Sequence, residues 1–215
     1  MKATTFLSGL LAALTTTVSA QLPTNDAGQT GPFWLQLKSN DSSVDGQYLG
    51  SCHTGAAQQT LCLSGPDKPD TNIVSYLYLL NRTDGTDENE MGILTWNLPL
   101  YAGGNILQNV SIPFTLQYYP GSNVATSSVS IGGGMAVTVG FRNDTLYIPN
   151  WIDDSNFVEG QYPNITGQIQ ELNNFYACWV LVAAYYYQAL TWVTSGAPHN
   201  RNCKPVDVVR IFYEN

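Results

Sequence analysis

The chain is 215 residues long with a formal net charge of −8, and only 11% of its residues are charged. The negative excess repels phosphate backbones and acidic lipid headgroups, so nucleic acid and membranes are not expected as partners. With so few charges, hydroxyl, amide and tyrosine groups must wet the surface, as on extracellular domains.

Residues 1–20 combine a basic start at Lys2, an apolar stretch from Phe6 to Leu14 and a small-residue exit at Val18-Ser19-Ala20. That pattern reads as a secretory signal peptide, with the mature chain beginning at Gln21. Residues 21–32 are polar, with Pro23 and two glycines, and read as a flexible N-terminal arm. Residues 33–215 are then expected to form a single all-β domain. The mature chain, about 195 residues, is long enough to bury roughly 70% of its unfolded surface.

From Phe33 the apolar pattern has period two. In FWLQLK, Phe33, Leu35 and Leu37 point one way while Gln36 and Lys38 point the other. Similar short runs follow in QYLGSC, TLCLS, IVSYLYLL, GILTWNL, FTLQYY, AVTVGF, TLYIPNW and VDVVRIFY, separated by Gly-, Pro-, Asn- and Asp-rich turns. Roughly ten to twelve short antiparallel strands imply a β-sandwich or barrel, with a β-trefoil as the alternative.

Residues 175–193 carry no formal charge and are long enough for a membrane span. Their interior holds Cys178, Tyr185 to Tyr187 and Gln188, where a spanning helix would place aliphatics. Two core strands, FYACWVLV and QALTWVT, turning near Ala183 to Tyr187, fit better.

Asn-X-Ser/Thr sequons at Asn40, Asn81, Asn109, Asn143 and Asn164 lie close to turn residues and are candidate N-glycosylation sites. The 4 cysteines, Cys52, Cys62, Cys178 and Cys203, allow three pairings. Local bridges, Cys52 to Cys62 and Cys178 to Cys203, are favoured because each would staple neighbouring strands. On the chain-entropy model they are worth about 3 and about 3.5 kcal/mol. Zinc is disfavoured by the absence of a Cys-x-x-Cys pair, and no metal or cofactor is expected.

Candidate chemistries are sparse. A glycoside hydrolase needs two carboxyl groups flanking one bond, and Glu90, at the mouth of a strand in NEMGILTWN, is the best candidate acid. Glu171 or Glu214 would be its partner; the competing reading is that Glu90 closes the solvated run DGTDENE. The 2 histidines, His53 and His199, have no Gly-x-Ser-x-Gly elbow to serve. Oxygen ligands cluster between Asn150 and Asn156 without the spacing of an EF-hand loop. Sugars dock on exposed aromatic faces beside amides and carboxylates, and Trp151, Tyr147 and Tyr185 to Tyr187 are the candidate platforms.

The runs FWLQLKSNDSSVDGQYLGSCHTGAAQQTLCLSG, GILTWNLP and TLYIPNWIDD, and the final FYACW, ALTWV and PHNRNCKPVDVVRIF, carry a further signal. Together they resemble a family of small secreted fungal proteins built on a domain of unknown function, over nearly all of the mature chain. The resemblance implies a fungal, secreted, disulfide-bonded β domain and supports the local cysteine pairs; some similar proteins are labelled allergen-like or IgE-binding. It carries over no active site. The function expected is that of a secreted, glycosylated, non-catalytic monomer, extracellular or in the cell wall, binding a cell-wall polysaccharide or an extracellular protein. The alternative is a carbohydrate-active hydrolase using Glu90, and a host-directed interaction protein is a third class.

Overall fold

The structure, a computed structural model, describes residues 28–69, 76–84, 90–102, 106–152, 157–162 and 169–213. The expected leader and most of the expected arm lie outside them. The first half of the chain supplies β1 (Gln29–Lys38), β2 (Leu49–Gly55), β3 (Gln58–Leu63), β4 (Tyr78–Asp84), β5 (Glu90–Ala102), β6 (Ile106–Gln117) and β7 (Val124–Ser130). The second half supplies β8 (Thr138–Arg142), β9 (Thr145–Asn150), β10 (Gln170–Leu172), β11 (Phe175–Val182), β12 (Tyr185–Val193), β13 (Lys204–Pro205) and β14 (Asp207–Phe212).

All pair antiparallel in one 14-stranded sheet, ordered β10-β9-β14-β1-β4-β5-β6-β7-β3-β12-β11-β13, with β2 on β3 and β8 bridging β5 and β9. No helix among the described residues is long and apolar enough to cross a membrane. The expected all-β class is what the described residues adopt.

The two halves of the sheet are joined by β6, which belongs to both. Its opening stretch, Ile106 to Pro113, pairs with β5, and its closing stretch, Phe114 to Gln117, pairs with β7. Proline removes a ladder donor, and the change of partner falls at that residue. Between the two halves lies one apolar core. Phe33, Leu35 and Leu37 of β1, Tyr78 and Leu80 of β4, and Leu94, Trp96 and Leu98 of β5 meet Leu61, Ala125, Val129, Phe175, Ala177, Leu190 and Trp192 from the other half. The layering is that of a sandwich. Trp34, on the opposite face of β1, joins a smaller cluster with Tyr48 and Leu77.

Three departures from the sequence pattern are instructive. β1 starts at Gln29, taking the last residues of the expected arm into the ladder, where Gln29 and Thr30 pair with Asn81 and Leu80. Residues 175–193 form the expected pair of strands, but the turn falls at Ala183-Ala184, so Tyr185 to Tyr187 belong to β12. The third is β7, VATSSVS, whose hydroxyl-rich composition reads as loop although every residue in it is buried.

That burial is tolerated because the buried serines of β7 find partners, while the Thr126 hydroxyl has none among the described residues. The Thr60 hydroxyl donates to Ser127 O at 2.7 Å, Leu61 N donates to Ser127 Oγ at 3.3 Å, Gln59 N donates to Ser130 Oγ at 3.1 Å, and the hydroxyls of Ser128 and Ser130 lie 2.7 Å apart. β7 pairs with β6, β3 and β12. It is therefore a central strand, held by hydroxyls where other strands use hydrocarbon.

Phe114 is fully buried where β6 changes partner. Phe114→Ala is expected to destabilise the fold by about 3 to 5 kcal/mol, seen as a lower urea midpoint at unchanged slope. A loss under about 1 kcal/mol would show that the two halves do not share this core.

Candidate functional site

Glu90 opens β5 opposite Phe141 of β8, and its side chain is almost fully buried. Its Oε2 is bound by Arg210 Nη1, its Oε1 accepts the Thr30 hydroxyl at 2.9 Å, and Arg82 Nη1 stands 3.7 Å from Oε1. Arg210 also donates through Nε to Asp144 Oδ1 at 2.9 Å. Its guanidinium lies over the rings of Phe141 and Phe212, at 4.6 and 4.8 Å from their centroids.

Glu90 is thus a buried, paired carboxylate and not a free acid. Residues 85–89 of the run DGTDENE lie outside the described residues. A glycosidase needs an open gap between two carboxyl groups for the scissile bond. Here the second carboxylate nearby is Asp144, and the Arg210 guanidinium bridges the two. Glu171 sits on β10 in an ion pair with Arg142, and Glu214 lies outside the described residues. The geometry makes Glu90 a structural anchor joining β1, β5, β14 and the β8–β9 turn.

The remaining polar candidates are also engaged. His53 is exposed, with Tyr185 edge-on at 5.6 Å, and the backbone N–H of His199 donates to Asn123 Oδ1 at 2.9 Å. The four cysteines form the bridges Cys52–Cys62 and Cys178–Cys203, leaving no thiol. Asn150 folds back on its own loop, accepting Ile152 N and donating to Ile152 O and Gln170 Oε1; residues 153–156 lie outside the described residues. Among the described residues no three His, Cys, Asp or Glu side chains group closely enough to hold a metal.

Of the aromatic candidates, Tyr147 must be corrected. It is buried, with its ring over Gly140, its partner in the β8–β9 ladder, where an added Cβ would collide with the ring. A large ring covering a cross-strand glycine fills the space the glycine leaves. Burial pushes the Tyr147 hydroxyl above its ordinary range, and the Glu171 charge adds to this while Arg142 opposes it. Trp151 is half exposed, just beyond the end of β9.

The β11–β12 hairpin carries three exposed aromatics, Trp179, Tyr185 and Tyr186. Near its base, Phe175 and Ala177 of β11 and Leu190 and Trp192 of β12 enter the core. The same face continues past the core as Trp179 and Leu181 opposite Gln188 and Tyr186. There Trp179 is 41% exposed, Tyr186 62% and Leu181 66%. Trp179 and Tyr186 stack, with ring centroids 5.1 Å apart and planes 20° from parallel.

On the other face Tyr185 and Tyr187 stack at 5.9 Å, and the Tyr187 hydroxyl donates to His53 O at 2.9 Å, tying the hairpin to β2. Asn200 Nδ2 donates to Trp179 O at 2.9 Å and steadies the outer edge. Of the candidate platforms Tyr185 to Tyr187, Tyr185 and Tyr186 are exposed and Tyr187 is half-buried; Trp179 was not singled out by the sequence. In FYACWVLV it occupies a core-phase position, and only the length of the hairpin carries it past the core.

At the other end of β11 lies a polar cleft of about 380 Å³ whose lining includes Lys38, Asn40, Asp45, Asn174, Tyr176 and Asp207. Its lips are braced by the Lys204–Asp41 ion pair at 2.8 Å and by the Ser39 hydroxyl donating to Pro205 O at 2.7 Å. The Lys204 hydrogen bond, with the Ser43 hydroxyl and amide, holds the Asp41 carboxyl well below the usual carboxylate range.

The sequons fall into different settings. Asn40, Asn109 and Asn143 are exposed, the last in the two-residue β8–β9 turn with φ of 48°. Asn81 sits within β4, between β1 and β5, half-buried, with its Oδ1 accepting Gln29 Nε2 at 2.6 Å. The backbones are so close there that a Cβ on Gly92 would meet the Asn81 carbonyl. Asn164 lies outside the described residues.

Fold and site together define a disulfide-bridged, sandwich-like β domain with exposed stacked aromatics and its best candidate acid in a structural ion pair. The chain belongs to the family described as a domain of unknown function, DUF7907, whose model matches residues 30–212. No curated protein and no solved structure matches it.

If Glu90 serves the fold, Arg210→Met will strand a buried carboxylate and cost about 3 to 5 kcal/mol, whereas combining it with Glu90→Leu will recover most of the loss. Urea unfolding of the wild type, the two single variants and the double variant completes the cycle. Additive losses would show that the pair is not coupled.

Proposed function

We propose that this protein is a secreted, N-glycosylated, non-catalytic domain that holds a neutral extracellular polysaccharide on the exposed face of its β11–β12 hairpin. The observation that carries the reading is the stacked pair Trp179 and Tyr186, exposed beyond the core with Leu181 beside it. Exposed contiguous apolar surface of this kind marks an interaction site. Aromatic rings with polar edges present an apolar body to the hydrocarbon face of a sugar and a hydrogen-bonding rim to its hydroxyls. Gln188, opposite Trp179 in the ladder, supplies an amide on the same face.

Charge favours a neutral ligand. No Asp, Glu, Lys or Arg occurs between Glu171 and Arg201, the stretch that forms the whole hairpin. The hairpin itself offers an anionic polymer no Lys or Arg. Secretion is supported by the leader pattern of residues 1–20 and by two disulfides, which persist in oxidising compartments. Glycosylation falls naturally on Asn40, Asn109 and Asn143. At Asn81 a glycan would have to displace the Gln29 contact and force the paired strands apart.

The mature protein is expected to be retained on at least one of insoluble chitin, β-glucan, cellulose or xylan, without releasing sugar. Trp179→Ala and Tyr186→Ala should each weaken retention about tenfold, which is roughly 1.4 kcal/mol, while Trp151→Ala leaves it unchanged. Released oligosaccharide would overturn the non-catalytic reading. Retention lost in Trp151→Ala alone would move the site off the hairpin, and failure to bind all four polymers would point to a protein partner.

A further inference from the structure

Asn40 lines the cleft at the base of β11, and we propose that this cleft is the seat of the glycan carried by Asn40, an intramolecular ligand. The inference rests on the reading that the chain is secreted and glycosylated. It goes beyond that reading by assigning an occupant to a cavity that the hairpin site does not use.

The first argument is presentation. Asn40 stands between two residues whose positions are set: Ser39 N donates to Asp45 Oδ1 at 2.9 Å, and the Asp41 carboxylate accepts Ser43 N at 3.0 Å while pairing with Lys204. The Ser39 hydroxyl anchors the same turn to Pro205 O. The Asn40 side chain is exposed and makes no hydrogen bond to any described residue, so its amide nitrogen is available. Glycosylation would join Nδ2 to the anomeric carbon of a lipid-linked pyrophosphate oligosaccharide. The N–C bond forms as the C–O bond to pyrophosphate breaks, and one amide proton passes to the transferase.

The second argument is complementarity. The cleft volume, about 380 Å³, falls in the range of small-ligand sites. Lys38, Asn174 and Asp207 line it with side chains that make no hydrogen bond or ion pair to described residues, and Tyr176 adds an aromatic edge. Mixed donors and acceptors, with one ammonium beside the carboxylates of Asp45 and Asp207, match hydroxyl and acetamido groups better than an anion. A covalently attached sugar meets them at high effective concentration, because its attachment point lies on the lip. The glycans on Asn109 and Asn143 have no such cavity assigned to them: neither residue lines the cleft.

The test uses the intact protein secreted from a eukaryotic host, with site-resolved glycopeptide mass spectrometry before and after a peptide-N-glycosidase acts on the folded protein. Asn40, Asn109 and Asn143 should be occupied. The Asn40 glycan should be released at least tenfold more slowly than the Asn143 glycan, and the difference should vanish on denaturation. Asn174→Ala and Asp207→Ala should speed release at Asn40 and leave Asn143 unchanged.

A bare Asn40 beside occupied Asn109 and Asn143, equal release rates, or slow release that neither variant alters would overturn the proposal alone. Every sequon bare would overturn the glycosylation reading, and the proposal with it. Retention on polysaccharide is read separately through Trp179 and Tyr186.

Discussion

The buried guanidinium of Arg210 is the constraint around which one half of the sandwich is organised. A charge in this position is tolerable only when it is paired, and Arg210 meets Glu90 through Nη1 and Asp144 through Nε, with Phe141 and Phe212 against its faces. Those two rings pack edge-on against Phe33, at 5.4 and 6.1 Å, so the polar knot rests directly on the apolar core. Its partners come from the start of β5, the β8–β9 turn and β14, which are far apart in sequence. Satisfying one cation therefore brings together the strands that close this half of the sheet.

The other half is built on a different solution. β7 is central and buried along its length, yet it is rich in Ser and Thr: the Thr60 hydroxyl of β3 and the Thr115 hydroxyl of β6 donate to its carbonyls, and its Ser127 hydroxyl accepts Leu61 N. The two disulfides reinforce this half, one between β2 and β3 and the other from β11 to the segment before β13. Asn123 adds a further clamp, donating to the carbonyls of Ser195 and Ala197 and accepting His199 N. With its base so fixed, the β11–β12 hairpin can extend beyond the core and keep its aromatics exposed.

The two surface features at opposite ends of β11 have distinct physics. The hairpin end is aromatic, uncharged and stacked, suited to a flat neutral surface. The base end is a small polar cleft with charges of both signs, suited to a compact hydrogen-bonding group. Glu90, the candidate acid of the alternative reading, belongs to neither feature and is bound in an ion-pair network.

The all-β class, the alternation of β1, the local cysteine pairs and the strand character of residues 175–193 were all legible in the sequence, because period-two patterning, turn residues and short loops are local properties. β7 was not legible, since hydroxyl-rich segments look like loops until neighbouring strands supply partners. The roles of Glu90, Tyr147 and Trp179 were not legible either. Whether a carboxylate ends beside a guanidinium, a tyrosine over a glycine, or a tryptophan past the edge of a core depends on residues distant in the chain. Only the tertiary structure brings those partners together, and burial and exposure are decided there.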